Sequence, residues 1–260
     1  MGRISVGLCL FMPVLAACAT TGTTDYRGNV IADSLASSVQ LFVERDGGAR
    51  RAGSGVVLAV DGDGNALILT AAHLLEPPTE QSVHVVSPRT GDRVEATILA
   101  VDADADVAVL EVSGLQVAPV RFKADANLGD NVWVVSFPWG RRGTVVNGVV
   151  SQIVDGDDDV PVPIRGPVGL IDAAVSYGTS GGGVFDSRTG MLVGIVRGYR
   201  TARLALPGND TETLDLPIGG ETTVIPTARI LCFLRSADLT HRVRATAIAA
   251  SATAAQCAAA

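Results

Sequence analysis

The chain has 260 residues, of which 47% are hydrophobic and only 4% aromatic, so a core would rest mainly on Val, Leu, Ile and Ala side chains. Its formal net charge is -7 and it has no cluster of Lys and Arg, which argues against a nucleic-acid partner, because neutralising phosphates requires a basic face. The 29 glycines and 12 prolines are scattered, which favours many short strands joined by tight turns over a helical bundle.

The first segment, residues 1–17, has the pattern of an export signal. Arg3 supplies a positive start, and the apolar run over 4–15 is too short to remain as a membrane-spanning helix. The ending Leu-Ala-Ala-Cys18 resembles the bacterial lipobox, which implies that Cys18 is lipidated and anchors the protein to a membrane. Ala19, by the same resemblance, favours the outer membrane facing the periplasm. The alternative is an ordinary signal peptide cut after Ala19, which would leave a soluble periplasmic or secreted protein.

Residues 18–35 are rich in Thr, Ala, Ser and Gly without a clear period, which predicts a tether. Over 36–113, about six apolar or alternating runs, each bounded by turn residues, predict the strands of one small barrel. After a connection, a second set of runs over 128–226 predicts a second barrel. A helix is expected over 226–236, with Pro near its first turn, followed by an Ala-rich tail over 237–260.

Three side chains suit acyl transfer by serine, which needs a nucleophile, a base and an acid that orients the base. Ser180 lies in Gly-Thr-Ser-Gly-Gly, where glycines permit a sharp turn. His73 ends the strand Leu-Thr-Ala-Ala-His. Asp106 opens the apolar run Val-Ala-Val-Leu, and this run alone favours it over Asp102 and Asp104, which a regular strand would place on a similar side.

The motifs Thr-Ala-Ala-His, Asp-Val-Ala-Val-Leu and Gly-Thr-Ser-Gly-Gly occur in the order His, Asp, Ser. With Gly-Ser-Gly-Val at 53–56 and Phe-Pro-Trp-Gly at 137–140, they resemble the trypsin and chymotrypsin clan over residues 39–234, and most closely its bacterial HtrA/Deg branch. The resemblance implies an all-β, chymotrypsin-like fold of two six-stranded antiparallel barrels with a C-terminal helix, and a peptidase domain over 36–236. It also implies a serine endopeptidase that acts on protein or peptide substrates and needs no metal or cofactor.

By this resemblance, Ser180 is the nucleophile, His73 the base and Asp106 the acid that orients it. The backbone N–H groups of Gly178 and Ser180 are expected to form the oxyanion hole. Thr179 stands where digestive members carry the Asp that pairs with a freed N-terminus, so activation of that kind is not expected.

The primary specificity pocket is expected around Ala174, with Val196, Arg197 and Gly198 in its wall. Ala174 is not an acidic anchor, so a small or aliphatic substrate residue is the better expectation than Lys or Arg. Arg197 either points into the cleft and attracts an acidic side chain or lies on the surface, and the surface interpretation is preferred.

Several alternatives stay open from the sequence. Cys232 and Cys257 either form a disulfide or leave Cys232 as a buried thiol. The residues after Leu234 are too few for the peptide-binding domain that HtrA/Deg relatives usually add, so none is expected. The alternative function is a catalytically silent trypsin-like module that binds protein partners, and a third is a processing peptidase with a single substrate. The three retained candidate side chains argue against a silent module.

Overall fold

The computed structural model describes Gly2, residues 26–45, 48–76, 81–154, 162–206 and 209–243, and Cys257. The predicted export signal, apart from Gly2, and the lipidation candidate Cys18 lie outside these residues. Among the described residues, no helix is long and apolar enough to cross a membrane.

The first half of the chain forms a closed barrel of six antiparallel strands. In chain order they are β1 Ser38–Arg45, β2 Arg50–Val60, β3 Asn65–Ala71, β4 Gln81–Val86, β5 Arg93–Asp102 and β6 Val107–Ser113. Their order around the barrel is β1-β2-β3-β6-β5-β4. A 3-10 helix, Ala72–Leu75, follows β3 directly. Alternate side chains of β1 and β4, such as Leu41, Val83 and Val85, fill the interior, as the two-residue period of a strand requires.

The second half forms another closed antiparallel barrel, in the order β11-β14-β13-β12-β8-β9. The elements are β7 Ala126–Asn127, β8 Asn131–Ser136, β9 Thr144–Ile153, β10 Arg165–Gly166, β11 Val168–Asp172, β12 Gly183–Asp186, β13 Leu192–Leu206 and β14 Asn209–Pro226. A 3-10 helix, Pro138–Gly140, follows β8, and β7 pairs with β10 in a small separate sheet. The helix α2, Thr227–Ser236, comes last. The predicted fold class is therefore confirmed.

One apolar cluster joins the two barrels. It contains Val56 and Leu69 from the first barrel and Phe185 and Ile195 from the second, all fully buried. Side chains of α2, including Ile230, pack against the same cluster. Burying a large apolar side chain contributes about 1.5–3 kcal/mol, so this shared cluster fixes the barrels against each other. The strand ends at the junction are held in place by it.

A short helix lies in the stretch that was expected to be a tether. Tyr26–Ala36 forms helix α1, with Val30 and Ser34 buried. Ser34 Oγ donates to Val30 O at 2.8 Å, and Ser38 Oγ donates to Ser34 O at 2.7 Å. The helix packs beside β1 and β8. Its sequence includes Gly, Asn, Asp and Ser, which have low helix propensity, so packing against the barrels decides its structure.

Two further features were not settled from the sequence, namely the length of β13 and β14 and the pairing of Cys232 with Cys257. The strands β13 and β14 continue past the barrel as a two-stranded ribbon, in which Thr201 pairs with Pro217 and Leu204 with Leu214. Pro217 lies in that ribbon, and proline usually argues against a strand, which explains why the extension was not predicted. Cys232 and Cys257 form a disulfide, with their Cα atoms 5.4 Å apart. This pairing ties Cys257 to α2.

Candidate active site

His73 and Asp106 meet at the end of the first barrel that faces the second. His73 lies in the 3-10 helix after β3, and Asp106 immediately precedes β6. His73 Nδ1 lies 3.0 Å from both Asp106 carboxylate oxygens, and the His73 main-chain N–H donates to Asp106 Oδ1 at 2.9 Å. Ala72 N donates to Asp106 O at 3.1 Å. The ring and its backbone are therefore both held by one residue.

The buried Asp106 carboxylate stays ionised. Burial alone raises its pKa, but hydrogen bonds from the His73 ring and amide, together with the charges of His73 and Arg197, hold the pKa of Asp106 below its usual value. Its backbone is in the left-handed region, with φ 56°, which Asp tolerates better than most residues. Asp102 instead accepts from Ala105 N at 2.9 Å, and Asp104 is exposed. Of the three carboxylates considered, Asp106 is thus the one in contact with His73.

Gly178 adopts a conformation that orients its amide. Its φ is 88°, and a Cβ there would lie 2.7 Å from Trp139 N, so a larger residue would displace this turn. Trp139 N donates to Tyr177 O at 2.8 Å. In a trans peptide the C=O and N–H point to opposite sides, so the Gly178 N–H points away from Trp139.

The amide of Ser180 is oriented in the same manner. Gly182 N donates to Thr179 O at 2.8 Å, so the Ser180 N–H points to the opposite side of that peptide. Gly181, with φ 78°, lets the chain pass directly over the main-chain oxygen of Ser54, which a Cβ at Gly181 would overlap. The nucleophile loop therefore depends on its glycines for two separate close approaches.

Ser54 connects this loop to the first barrel. Its buried Oγ donates to Gly178 O at 2.8 Å and accepts from Phe137 N at 2.9 Å. Its main-chain N donates to Ser180 O at 2.9 Å, and its main-chain O accepts from Thr70 Oγ1 at 2.8 Å. Ser54 lies in the motif Gly-Ser-Gly-Val, which does not by itself indicate this role. The signal that the sequence offers for such a role is a small polar residue between two glycines at the start of an apolar strand.

The Ser180 hydroxyl and His73 line the same cleft, which has a volume of about 470 Å³. Ser180 Oγ donates to Arg197 O at 3.2 Å. A hydroxyl has one proton, so in this arrangement Ser180 does not donate to His73. The structure thus brings His73 and Ser180 to one cleft, with the buried Asp106 in contact with His73 outside the lining and the serine turned to Arg197.

The predicted pocket residues divide into two groups. Val196, Arg197 and Gly198 line the cleft, together with the segment 175–179. Ala174 is exposed and lies outside this lining. Arg197 is not simply a surface residue, because its Nε lies 3.2 Å from Asp106 Oδ2 while about half of its side chain stays exposed.

Two closed six-stranded antiparallel barrels that pack against each other are the architecture of the chymotrypsin-like class of fold. A family model, trypsin-like peptidase domain, matches residues 53–195. The chain therefore belongs to the trypsin-like peptidase domain family, and the predicted class of enzyme, serine peptidase, is confirmed at the level of the family.

The relatives include members of the HtrA/Deg branch, as the sequence motifs predicted. The mitochondrial serine protease HTRA2 of Bos taurus is 34% identical over 134 residues, which are 50% of this chain and 28% of that protein. A protein of Halomonas elongata named as a DegP-like periplasmic serine endoprotease is 30% identical over 148 residues, 56% of this chain and 29% of its own length. The chain thus spans less than a third of the length of these two relatives.

A solved structure supports the fold alone. The active form of a protease from Mycobacterium tuberculosis superposes with a TM-score of 0.60 at 24% identity, covering 79% of this chain and 82% of that one. At this identity the likeness extends to the two-barrel architecture and not to the chemistry of the cleft.

Proposed function

We propose that this protein is a serine endopeptidase in which Ser180, His73 and Asp106 form a catalytic triad. The single observation that supports it most is the His73–Asp106 contact, 3.0 Å from Nδ1 to each carboxylate oxygen, in the cleft that also holds Ser180. Asp106 keeps the proton of His73 on Nδ1, so that Nε2 is free to act as a base.

In the proposed reaction, the Ser180 hydroxyl turns from Arg197 O towards His73. Ser180 Oγ attacks the carbonyl carbon of the scissile bond while His73 Nε2 takes its proton, and His73 then gives that proton to the departing amine. Water, activated by His73, hydrolyses the acyl-enzyme and restores the serine. Catalytic hydrogen bonds are often formed only when substrate binds, which is compatible with the serine orientation seen here.

The amides of Gly178 and Ser180 are proposed to stabilise the oxyanion of the tetrahedral intermediate. Their N–H groups both point away from the backbone hydrogen bonds that hold the loop, which supports this role. Fixed donors of this kind typically change kcat by about 10²–10³ per hydrogen bond.

Labelling with a fluorophosphonate probe tests the triad. The purified protein should label, and Ser180→Ala should not, whereas Ser151→Ala, a matched change on the exposed face of β9, should label fully. His73→Gln should label far more slowly, because the serine then lacks its base. Labelling that persists in Ser180→Ala would contradict the assignment of the nucleophile.

The rival proposal is a catalytically silent module that binds protein partners. One observation favours it, namely that Ser180 donates to Arg197 O and not to His73. A folded protein that neither reacts with the probe nor cleaves a broad peptide library, yet retains bound protein partners, would establish the silent module instead. Cleavage of one sequence only would indicate the dedicated processing peptidase.

We also infer that residues 1–17 direct export and that Cys18 carries a lipid anchor at the bacterial envelope, with residues 36–236 as the peptidase domain. The motif Leu-Ala-Ala-Cys and the periplasmic name of the Halomonas relative support this location. Incorporation of an alkyne-labelled fatty acid in a bacterial host should be lost in Cys18→Ala and kept in Cys9→Ala. Retention of the label in Cys18→Ala would refute the anchor.

A further inference from the structure

Arg197 places a positive charge beside the proposed nucleophile, although the protein as a whole is acidic. Its main-chain oxygen accepts the Ser180 hydroxyl at 3.2 Å, and its side chain lines the cleft with 53% of its surface exposed. The protein carries a net charge of -7. Among the described residues that line the cleft there is no carboxylate, whereas Arg51 and Arg197 both lie in the lining.

The charge of Arg51 is not cancelled by a carboxylate in the described part of the chain. Its Nη1 donates to two carbonyl oxygens, those of His73 and Glu76, each at 3.0 Å. Carbonyl groups satisfy the hydrogen bonds of a guanidinium but leave its full charge in place. Arg51 therefore adds a positive potential to the cleft, and walls of low dielectric constant concentrate such a potential on whatever binds there.

Arg197 has a partner that it shares. Its Nε contacts Asp106 Oδ2 at 3.2 Å, while the same carboxylate accepts hydrogen bonds from both the ring and the amide of His73. A guanidinium has five N–H donors, and this contact uses one of them. The two terminal amino groups can therefore bind a planar carboxylate side by side, which is the geometry that Arg recognises best.

The contact between Arg197 and Asp106 is also one that can be exchanged. If Arg197 moves to another carboxylate, Asp106 keeps its hydrogen bonds to His73 and stays satisfied. While Arg197 remains on Asp106, it opposes the positive charge that His73 gains in the transition state, because like charges a few ångströms apart repel. A substrate carboxylate would remove this opposition.

We propose that Arg197 is a specificity-determining residue that binds an acidic side chain of the substrate, one or two positions before the scissile bond. This inference rests on the proposed peptidase function. It replaces the preference for a surface role of Arg197 and adds an acidic requirement to the expectation of a small or aliphatic residue in the primary pocket.

Internally quenched peptides that differ only by Glu or Gln at either of these positions test the proposal. The native protein should cleave a Glu peptide with a kcat/KM about tenfold or more above its Gln counterpart, as expected for a charge-assisted hydrogen bond. Arg197→Gln should reduce this ratio to about one, because its side chain then carries no charge. The ratio should also fall at high salt, since screening weakens the attraction.

Arg203→Gln is the matched control. Arg203 lies on the same strand, is exposed and pairs with Asp215 outside the cleft, so the variant should keep the native Glu preference. Equal cleavage of Glu and Gln peptides by the native protein would overturn the inference, and so would a preference that persists in Arg197→Gln.

A binding measurement separates failure of this inference from failure of the proposed function. In the Ser180→Ala background no cleavage is needed, and fluorescence anisotropy should show tighter binding of a Glu peptide than of its Gln counterpart. Adding Arg197→Gln should remove the difference. A protein that does not react with fluorophosphonate but still shows this Arg197-dependent preference would refute the peptidase and support the acidic subsite, whereas equal binding would refute the subsite alone.

Discussion

Replacing Ser54 with Ala removes one buried oxygen atom that two parts of the candidate site share. The hydroxyl donates to Gly178 O at 2.8 Å and accepts from Phe137 N at 2.9 Å, and all three residues are buried. Without this hydroxyl, the buried carbonyl of Gly178 and the buried N–H of Phe137 each lose a hydrogen-bond partner. Leaving a buried polar group unpaired costs about 1–3 kcal/mol, so for two groups the free energy of unfolding should fall by about 2–6 kcal/mol.

The same change should reduce turnover more than substrate binding. Ser54 holds the carbonyl of Gly178, and the amide of Gly178 is a proposed oxyanion donor. Losing such a donor outright costs about 10²–10³ in kcat, and Ser54→Ala loosens the donor without removing it. We therefore expect kcat to fall by about tenfold to a hundredfold, with KM changed by no more than about twofold, because the oxyanion exists only in the transition state and intermediate.

Urea unfolding and steady-state cleavage of a quenched peptide, recorded well below the unfolding midpoint, measure both effects. Ser87→Ala is the matched control, because Ser87 is equally buried but its Oγ has no hydrogen-bond partner among the described residues. It should be neutral or slightly stabilising and should leave kcat unchanged. Equal losses of stability in the two variants, or a native kcat in a folded Ser54→Ala protein, would refute the reasoning.

Three further changes test the supporting structure. Gly181→Ala should unfold easily and lose fluorophosphonate labelling, since a methyl group there overlaps the backbone beneath the loop; a fully labelled, stable variant would contradict this. Burial raises the pKa of Asp186, but hydrogen bonds from Lys123 and Thr189 hold the pKa below its usual value. The stability lost in Asp186→Asn should therefore be largest above about pH 4 and shrink as the pH falls through the lowered pKa. Urea unfolding of both proteins at a series of pH values measures this loss. Reducing the disulfide between Cys232 and Cys257, 25 positions apart, should lower the free energy of unfolding by about 3–4 kcal/mol, and an unchanged midpoint would refute a stabilising role.

Much of the barrel architecture was predictable because apolar runs and turn residues mark the strands directly. The segments around Val83 and Val85 alternate between buried and partly exposed positions, a pattern that sequence shows without tertiary information. The helix over 26–36 has no such signal, since Val30 alone among its apolar side chains is buried and the helix is stabilised by contact with the barrels. Boundaries that depend on packing between distant segments were therefore the ones that the sequence did not indicate.

The candidate site shows the same division. His73 and Ser180 stand in motifs whose glycine and small-residue context is visible in the sequence. The choice of Asp106 over Asp102 depended on the residues after it, and contact geometry was needed to separate them. The sequence left two positions open for Arg197, in the cleft or on the surface, and the surface was preferred. Its contact with Asp106 was not predictable, because the two residues are 91 positions apart and chain folding determines which carboxylate the guanidinium meets.

The first barrel sets the spacing between base and nucleophile through strands β2 and β3. Thr70 on β3 donates to Ser54 O on β2, and Ser54 N donates to Ser180 O on the loop of the second barrel. His73 follows Thr70 by three residues. The segments that carry the proposed base and the proposed nucleophile are therefore linked through Ser54, by one hydrogen bond from Thr70 and one to Ser180 O. Because these bonds are buried and use backbone atoms of Ser54, a side-chain substitution there cannot break them. The loss of turnover expected for Ser54→Ala must therefore come through the two partners of its hydroxyl, Gly178 O and Phe137 N, which distinguishes a defect at the Gly178 turn from a displaced serine.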